Sequence, residues 1–321
     1  MSHSEKPFCC DLCFGKTHQV IFKESPDSSQ LALCQTCGLI AAHPRLSPQA
    51  LDSFYEDSFA NDPGSHLQSG SGPPAKEHIK KEEVKASKWG ISLICQYVKP
   101  TGKKILDIRC RTGVLSSMLE KQGATVVCVE PFPNNAKVAR DNRKLSPVTV
   151  LPFSKLDQFP PPENGGYDII NILAHHVLAH VLSPRIFLKK IYESLKPEGF
   201  LFLDEKDIYS PVSHKKPSVL ATGQAHQFHL SVDTTFQYLR SVGFHVLECQ
   251  LDKTRKSDFR HIRVVAQRPP NKPEPSSIKV HPSSISMLQH RLWILEKTWK
   301  FRLFILYTKR KFKKWIRSRI L

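Results

Sequence analysis

The sequence predicts an α/β fold: a largely parallel sheet flanked by helices, with a small metal-stapled module ahead of it and a basic helix behind it. Three observations predict this. Between residues 76 and 268, short β-branched apolar runs alternate with segments of helical spacing, the pattern of βαβ units. Two Cys-x-x-Cys pairs precede that region. Residues 284–321 follow it, with 11 Lys and Arg against one acid, Glu296.

The first module, residues 1–50, holds five of the nine cysteines: Cys9, Cys10, Cys13, Cys34 and Cys37. Cys10-x-x-Cys13 and Cys34-x-x-Cys37 are tight turns, each presenting two thiolates to one ion, and together they complete a tetrahedron around Zn²⁺. Cys9 could replace Cys10, but the two-residue spacing favours Cys10. The segment has too few apolar residues to fold without such a staple. With four protein ligands and no open position, the zinc is expected to be structural. Cys95, Cys110, Cys128 and Cys249 lie in apolar contexts and read as reduced core thiols.

Residues 51–75 read as connector and linker, the Gly-, Ser- and Pro-rich stretch Asn61–Ala75 above all. Strands are then expected at Lys103–Ile108, Ala124–Val129, Val148–Leu151, Tyr167–Leu173, Phe200–Asp204, Phe244–Cys249 and His261–Ala266. Helices are expected at Val114–Gln122, Asn134–Asn142, Pro184–Leu195 and Val232–Val242. Lys196-Pro197-Glu198-Gly199 stops the third helix and Gly243 caps the fourth. A second Pro-rich linker spans 269–284. The tail, 285–321, sets Leu288, Leu292, Leu295, Trp299, Leu303 and Leu306 on one helical stripe, ending in a basic run from Lys309 to Arg317. Basic residues with Trp and Phe on one helix suit an anionic membrane surface. They also suit a phosphate backbone with stacked bases, or docking on the protein's own core.

Over all 321 residues, Lys+Arg 47 against Asp+Glu 29 gives a net charge of +18. That excludes an acidic solvating protein and points to anionic partners. The charge is uneven: residues 1–75 carry four basic and eight acidic residues. An acidic ribbon argues against an RNA partner. No segment approaches the roughly 20 apolar residues that span a bilayer. The first 30 residues lack the apolar stretch of a secretory signal, so the expected location is cytoplasmic, with the tail peripheral on the inner membrane face.

Ile105–Leu115 (ILDIRCRTGVL) has the layout of a nucleotide site: an apolar strand ends in Asp107, and a turn leads through Gly113 into a helix. The next strand ends in Glu130, an acid placed to accept both hydroxyls of a ribose. In this order of blocks the chain resembles the class I S-adenosylmethionine-dependent methyltransferases that carry an N-terminal zinc ribbon. The resemblance runs over residues 8–268. It rests on Leu33–Phe59, on ILDIRCRTG, on VVCVEPFP, on the block from Tyr167 to Leu203, and on HQFHLSVDTTFQYLRSVGF.

The resemblance implies a Rossmann-like sheet, S-adenosylmethionine as cofactor, and methyl transfer to a small molecule or a glycan- or lipid-linked intermediate. The candidate cofactor contacts are Asp107, Arg109, Arg111, Gly113, Glu130 and Leu173. Two positions depart from the family's loop: Arg109 and Arg111 stand where it has glycines. An arginine there either fills the cofactor's space or pairs with its methionine carboxylate. Ala179 replaces a family acid, while His180 is kept. His175, His176 and His180 follow the fourth strand, and of these His176 and His180 are the candidate catalytic bases; His226 and His229 are weaker candidates. After the fourth strand the chain reads Asn171-Ile172-Leu173-Ala174, unlike the signature of amide methylation on nucleobases. The two other functions consistent with the sequence are a scaffold that keeps the fold without catalysis and an RNA methyltransferase.

Overall fold

The computed structural model describes residues 7–23, 30–61, 77–145, 147–162, 165–173, 176–208, 211–212, 216–217, 226–252 and 260–271. The strands are β1 His18–Lys23, β2 Gln30–Cys34, β3 Ile40–His43, β4 Lys104–Ile108, β5 Thr125–Glu130, β6 Val148–Val150, β7 Tyr167–Ile172, β8 Leu195–Lys206, β9 Pro211–Val212, β10 Lys216–Pro217, β11 Phe228–His229, β12 His245–Leu251 and β13 His261–Gln267. The helices are α1 Pro48–Asn61, α2 Glu77–Tyr97, α3 Val114–Lys121, α4 Pro133–Arg143, α5 Pro184–Ser194 and α6 Val232–Val242. Single 3₁₀ turns lie at Phe153–Gln158 and Val177–Ala179.

The main sheet runs β12-β13-β8-β7-β4-β5-β6. β6, β5, β4, β7 and β8 are parallel, and β13 runs antiparallel between β8 and β12. Chain order reverses between β4 and β7, so the crevice outside their carboxyl ends is where such a sheet binds ligands. This is the Rossmann-like methyltransferase sheet the sequence predicts. One buried cluster, with Leu106, Ile170 and Leu203, packs the face toward the N-terminal module. The other, with Ile105, Ile169 and Phe202, packs the face toward α2 and α3. Neighbouring strand residues thus point to opposite faces.

Local sequence sets the helix ends. Ser183 caps α5 by accepting from the Ile186 amide at 3.1 Å, with Pro184 as the first helical residue. Ser231 and Thr234 form a reciprocal cap on α6, and Gly243 closes it at φ 112°. Gly113 starts α3 at φ 77°, where an added Cβ would lie 2.3 Å from Leu145 Cδ1. Lys196-Pro197-Glu198-Gly199 ends α5 but lies inside β8, with Glu198 at φ 64°.

A second sheet, β1-β2-β3-β11, carries the cysteine pairs. Its last strand comes from far along the chain: Phe228 and His229 pair with Ala41 and Ile40. The segment expected as connector begins instead inside α1, whose amphipathic Leu51, Phe54 and Tyr55 pack inward. Most of the Asn61–Ala75 linker, His175, the Pro-rich linker beyond residue 271 and the whole 285–321 tail lie outside the described residues. Among the described residues no helix is long and apolar enough to cross a membrane.

Candidate functional site

The four predicted metal ligands converge. Cys10 and Cys37 Sγ are 3.4 Å apart, Cys13 and Cys34 Sγ 3.5 Å, and all four sulfurs lie within 4.8 Å of one another. A zinc tetrahedron with Zn–S near 2.3 Å places its sulfurs roughly 3.8 Å apart, so the set fits zinc in donor type and spacing. Cys9 is exposed and outside the cluster. Contact with the neighbouring thiols and burial push the Cys37 thiol up, and accepting from Cys10 and Cys37 pulls Cys34 down. Four such thiols cannot all ionise side by side without a cation among them.

The first knuckle is also bonded to the main domain. Asp11 accepts from Ser183 Oγ at 2.6 Å, from the Arg185 amide at 3.1 Å and from Tyr238 Oη at 3.0 Å.

At the crevice, β4 delivers Asp107 and β5 delivers Glu130, 1% and 0% exposed. Asp107 accepts from Ser116 Oγ at 2.5 Å and Asn171 Nδ2 at 2.7 Å. Burial pushes it up to about 6, against those two bonds. Glu130 accepts from the Arg111 amide at 2.8 Å, the Phe132 amide at 3.2 Å and Asn135 Nδ2 at 3.2 Å. Burial raises it to about 7, opposed first by the Arg109 charge.

The connecting loop keeps a glycine-like backbone without the glycines: Arg109 has φ 62°, Arg111 φ 56° and Gly113 φ 77°. The Arg109 guanidinium lies over the Phe153 ring, 5.4 Å from its centre. Arg111 is buried beside the crevice. From α2, Glu83 binds the loop at Thr112, through Oγ1 at 2.7 Å and the amide at 3.2 Å. The crevice bounded by Glu83, Ser87, Asp107, Arg111, Leu115 and Leu173 has a volume of ≈ 20 Å³, space for about one water. The donor set therefore fits the polar groups of S-adenosylmethionine in kind.

The two candidate bases separate. His176, at φ 62°, stacks on His261 with ring centres 5.5 Å apart. His180 Nδ1 lies 2.5 Å from Tyr55 Oη, its ring 5.1 Å from Phe153 and 4.6 Å from His226. Burial holds His226 and His229 far below the usual histidine range. Tyr55, Glu83 and Phe153 are absent from the sequence-derived set. Tyr55 stands inside the Leu33–Phe59 block that carries the resemblance. Glu83 and Phe153 have no signal of their own, because their place depends on how α2 and the 3₁₀ turn fold over the sheet.

A sequence model described as a methyltransferase domain matches residues 88–248, half of the chain. The chain belongs to that family. It is 35% identical over 108 residues to a mitochondrial ubiquinone biosynthesis O-methyltransferase of Schizosaccharomyces pombe, a match covering 32% of this chain and 38% of that protein. It is 30% identical over 107 residues to the ubiquinone biosynthesis O-methyltransferase of Xanthomonas axonopodis pv. citri, covering 33% and 44%. The match thus spans less than half the length of these relatives. Among solved structures, an S-adenosylmethionine-dependent methyltransferase from Mesorhizobium loti aligns with TM-score 0.46 and 17% identity, over 57% of this chain and 98% of that one. The [4+2]-cyclase SpnF aligns with TM-score 0.48 and 14% identity, over 70% and 97%.

Proposed function

We propose that the chain transfers a methyl group from S-adenosylmethionine to a hydroxyl of a small molecule or of a glycan- or lipid-linked intermediate. The observation that carries this is the pair of buried acids at the ends of adjacent strands, Asp107 and Glu130, joined by a left-handed loop at the sheet's switch point, in a chain of the methyltransferase-domain family. The ubiquinone O-methyltransferase relatives support a small acceptor. Bound S-adenosylmethionine would supply an electrophilic methyl group. Glu130 would hold the ribose, the Asp107 side of the crevice the methionine end, and His180 would face the acceptor. The zinc is structural in this reading. The tail 285–321 provides contact with an anionic membrane, on its sequence pattern alone. Vesicle co-sedimentation tests that part: a chain ending at Ser284 is expected to lose binding that the full chain shows.

Isothermal titration of the full chain with S-adenosylmethionine tests the enzyme reading. One site per chain is expected, and no binding of either S-adenosylmethionine or S-adenosylhomocysteine would overturn it. A second reading, a scaffold that keeps the fold without turnover, is favoured by Arg109 and Arg111 in the loop. The absence of binding would select it.

A further inference from the structure

One carboxylate of the cysteine module sits at the start of a helix of the main domain. Asp11 lies between the candidate ligands Cys10 and Cys13, in a turn closed by the Phe14 amide on the Cys10 carbonyl at 2.9 Å. Its Oδ1 accepts from Ser183 Oγ at 2.6 Å, and its Oδ2 accepts from the Arg185 amide at 3.1 Å and from Tyr238 Oη at 3.0 Å. Ser183 caps α5, and the Arg185 amide is one of the first-turn donors that a helix cannot satisfy by itself. Asp11 therefore completes the cap of α5 from outside the helix, with negative charge at its positive end. Arg185 returns the contact. Its guanidinium donates to the Leu12 carbonyl at 3.1 Å and lies 4.8 Å from the centre of the Phe14 ring.

Further bonds from the module land on the same side of the sheet. Arg45 donates to the Leu182 carbonyl at 3.2 Å. Gln227 is held at three points: its carbonyl accepts from the Ala42 amide at 2.9 Å, its side-chain oxygen accepts from the Leu46 amide at 2.8 Å, and its own amide donates to the Ala179 carbonyl at 2.8 Å. Phe228 and His229 then pair with β3. The module thus fixes two segments, 177–185 after β7 and 226–230 before α6, which carry His180, His226 and His229. The cofactor loop is fixed from elsewhere. Glu83 of α2 holds Thr112, and Glu130 of β5 holds the Arg111 amide.

From this geometry we infer that Asp11 is a positioning residue: through it, a metal ion on the four cysteines holds the acceptor-side turn 177–185, while the cofactor loop keeps its shape without that ion. The inference rests on the enzyme reading only where it gives this turn to the acceptor; the link between knuckle and turn is independent of it. The four sulfurs lie within 4.8 Å of one another, and a cation is what keeps such thiolates together. With the ion in place, the Cys10–Cys13 turn has one shape and Asp11 one direction. Without it that restraint is gone, and three donors on α5 and α6 lose a shared acceptor at once. Ser183 keeps its bond from the Ile186 amide, so α5 stays a helix. What loosens is the chain just ahead of it.

The test is hydrogen exchange, read peptide by peptide, on the full chain loaded with zinc and on the same chain stripped by a chelator under reducing conditions. Stripping is expected to speed exchange over 182–187 and 226–230 by about tenfold, the size of one lost hydrogen bond, and to leave 105–130 unchanged. Asp11→Ala, in a chain that keeps its four cysteines and its zinc, is expected to reproduce the change over 182–187 alone, since Ala42, Leu46 and β3 still hold 226–230. Unchanged exchange over 182–187 in either sample overturns the inference. So does a rise over 105–130 as large as that over 182–187, because the ion would then support the whole domain. A chain that takes up no zinc overturns it as well. If Asp11→Ala itself loses zinc, the stripped wild-type chain decides alone. Titration with S-adenosylmethionine separates the two claims. Equal affinity is expected for the loaded and stripped chains, and a loss on stripping overturns the independence of the cofactor loop. A loaded chain that binds none defeats the enzyme reading, while the exchange pattern still decides the link.

Discussion

The two cysteine knuckles and the loop from Asp107 to Gly113 are both tight turns, and they hold their shape in opposite ways. In the knuckles every side chain is the expected one: four cysteines, with sulfurs 3.4 and 3.5 Å apart in two pairs. In the loop, arginines hold a backbone that glycine adopts more readily. Arg109 and Arg111 hold left-handed φ values of 62° and 56°, a conformation that costs a non-glycine residue roughly 1–3 kcal/mol. A metal site is defined by its donor atoms, so losing one abolishes it. A loop that receives a ligand on its backbone is defined by dihedral angles, and those survive substitution if the surroundings enforce them.

The sharpest way to break this comparison is to remove one donor. Cys34→Ser is expected to lose the single zinc and, with it, the ordered N-terminal module. Structural zinc binding in small peptides is worth on the order of 10–16 kcal/mol. Because Asp11 ties the first knuckle to Ser183, Arg185 and Tyr238, the main domain should also melt earlier. Metal analysis and a thermal melt check both parts. Full zinc retention in the variant would show that the site does not need its fourth sulfur.

The loop should be vulnerable in its backbone instead. Gly113→Ala places a Cβ 2.3 Å from Leu145 Cδ1 and 3.1 Å from Ala139 Cβ, at φ 77°. Overpacking and left-handed strain together should cost about 2–4 kcal/mol in urea unfolding. A change below 0.5 kcal/mol, on the order of an ordinary surface substitution, would mean the loop can relax and its shape is not enforced. Glu130→Ala comes next. It removes the acceptor for the Arg111 and Phe132 amides and for Asn135. It is also expected to weaken S-adenosylmethionine binding by about 1.5–3 kcal/mol, since a charged acceptor is lost. An unchanged dissociation constant would remove Glu130 from the cofactor site.

The acids give a pH signature of fixed sign. Burial raises Asp107 to about 6 from an ordinary 3.8, and Glu130 to about 7 from 4.5. Over these windows the folded chain holds more protons than the unfolded one, so stability falls as pH rises from about 4 through 7. Asp107→Asn should flatten the lower part of that slope, measured as urea midpoints across the range.

How much of this was legible in the sequence follows the same division. The Cys-x-x-Cys spacing picked out the four cysteines that cluster, because a knuckle's chemistry sits in residue types. β4, β5, β7 and α3 to α6 were legible because apolar period and capping residues mark them locally. Asp107 and Glu130 were legible as acids ending consecutive strands. The connector's first residues, 51–61, are helical and pack on the core through Leu51 and Tyr55, which a short amphipathic run beside a Gly- and Pro-rich stretch does not reveal by itself. Tyr55 and His180 are far apart in sequence, and only the ribbon's docking brings them together. The strand β11, two residues long, carries no pattern of its own; its partner β3 defines it. His176 and His180 look paired by spacing, but the 3₁₀ turn between them sends one ring to His261 and the other to Tyr55.

The last and smallest expected effect asks what the two arginines do. If the loop's shape is held by its surroundings, then Arg109→Gly with Arg111→Gly leaves the backbone in place, relieves its strain and removes the side chain that helps close the ≈ 20 Å³ crevice. The double variant also frees Phe153 from the guanidinium above it. Added glycines loosen the unfolded chain by roughly 0.4–1 kcal/mol each, which offsets much of the relief. Net stability should therefore move little, within about 1 kcal/mol. The cofactor, by contrast, gains space at little cost, so S-adenosylmethionine should bind about tenfold more tightly, a change of about 1.4 kcal/mol. Calorimetric titration of the wild-type chain and the double variant, side by side, measures it. Weaker binding in the variant would reverse the assignment: the arginines would then be ligands, Arg111 the nearest candidate for the methionine carboxylate. The loop, like the knuckles, would prove to work through its side chains.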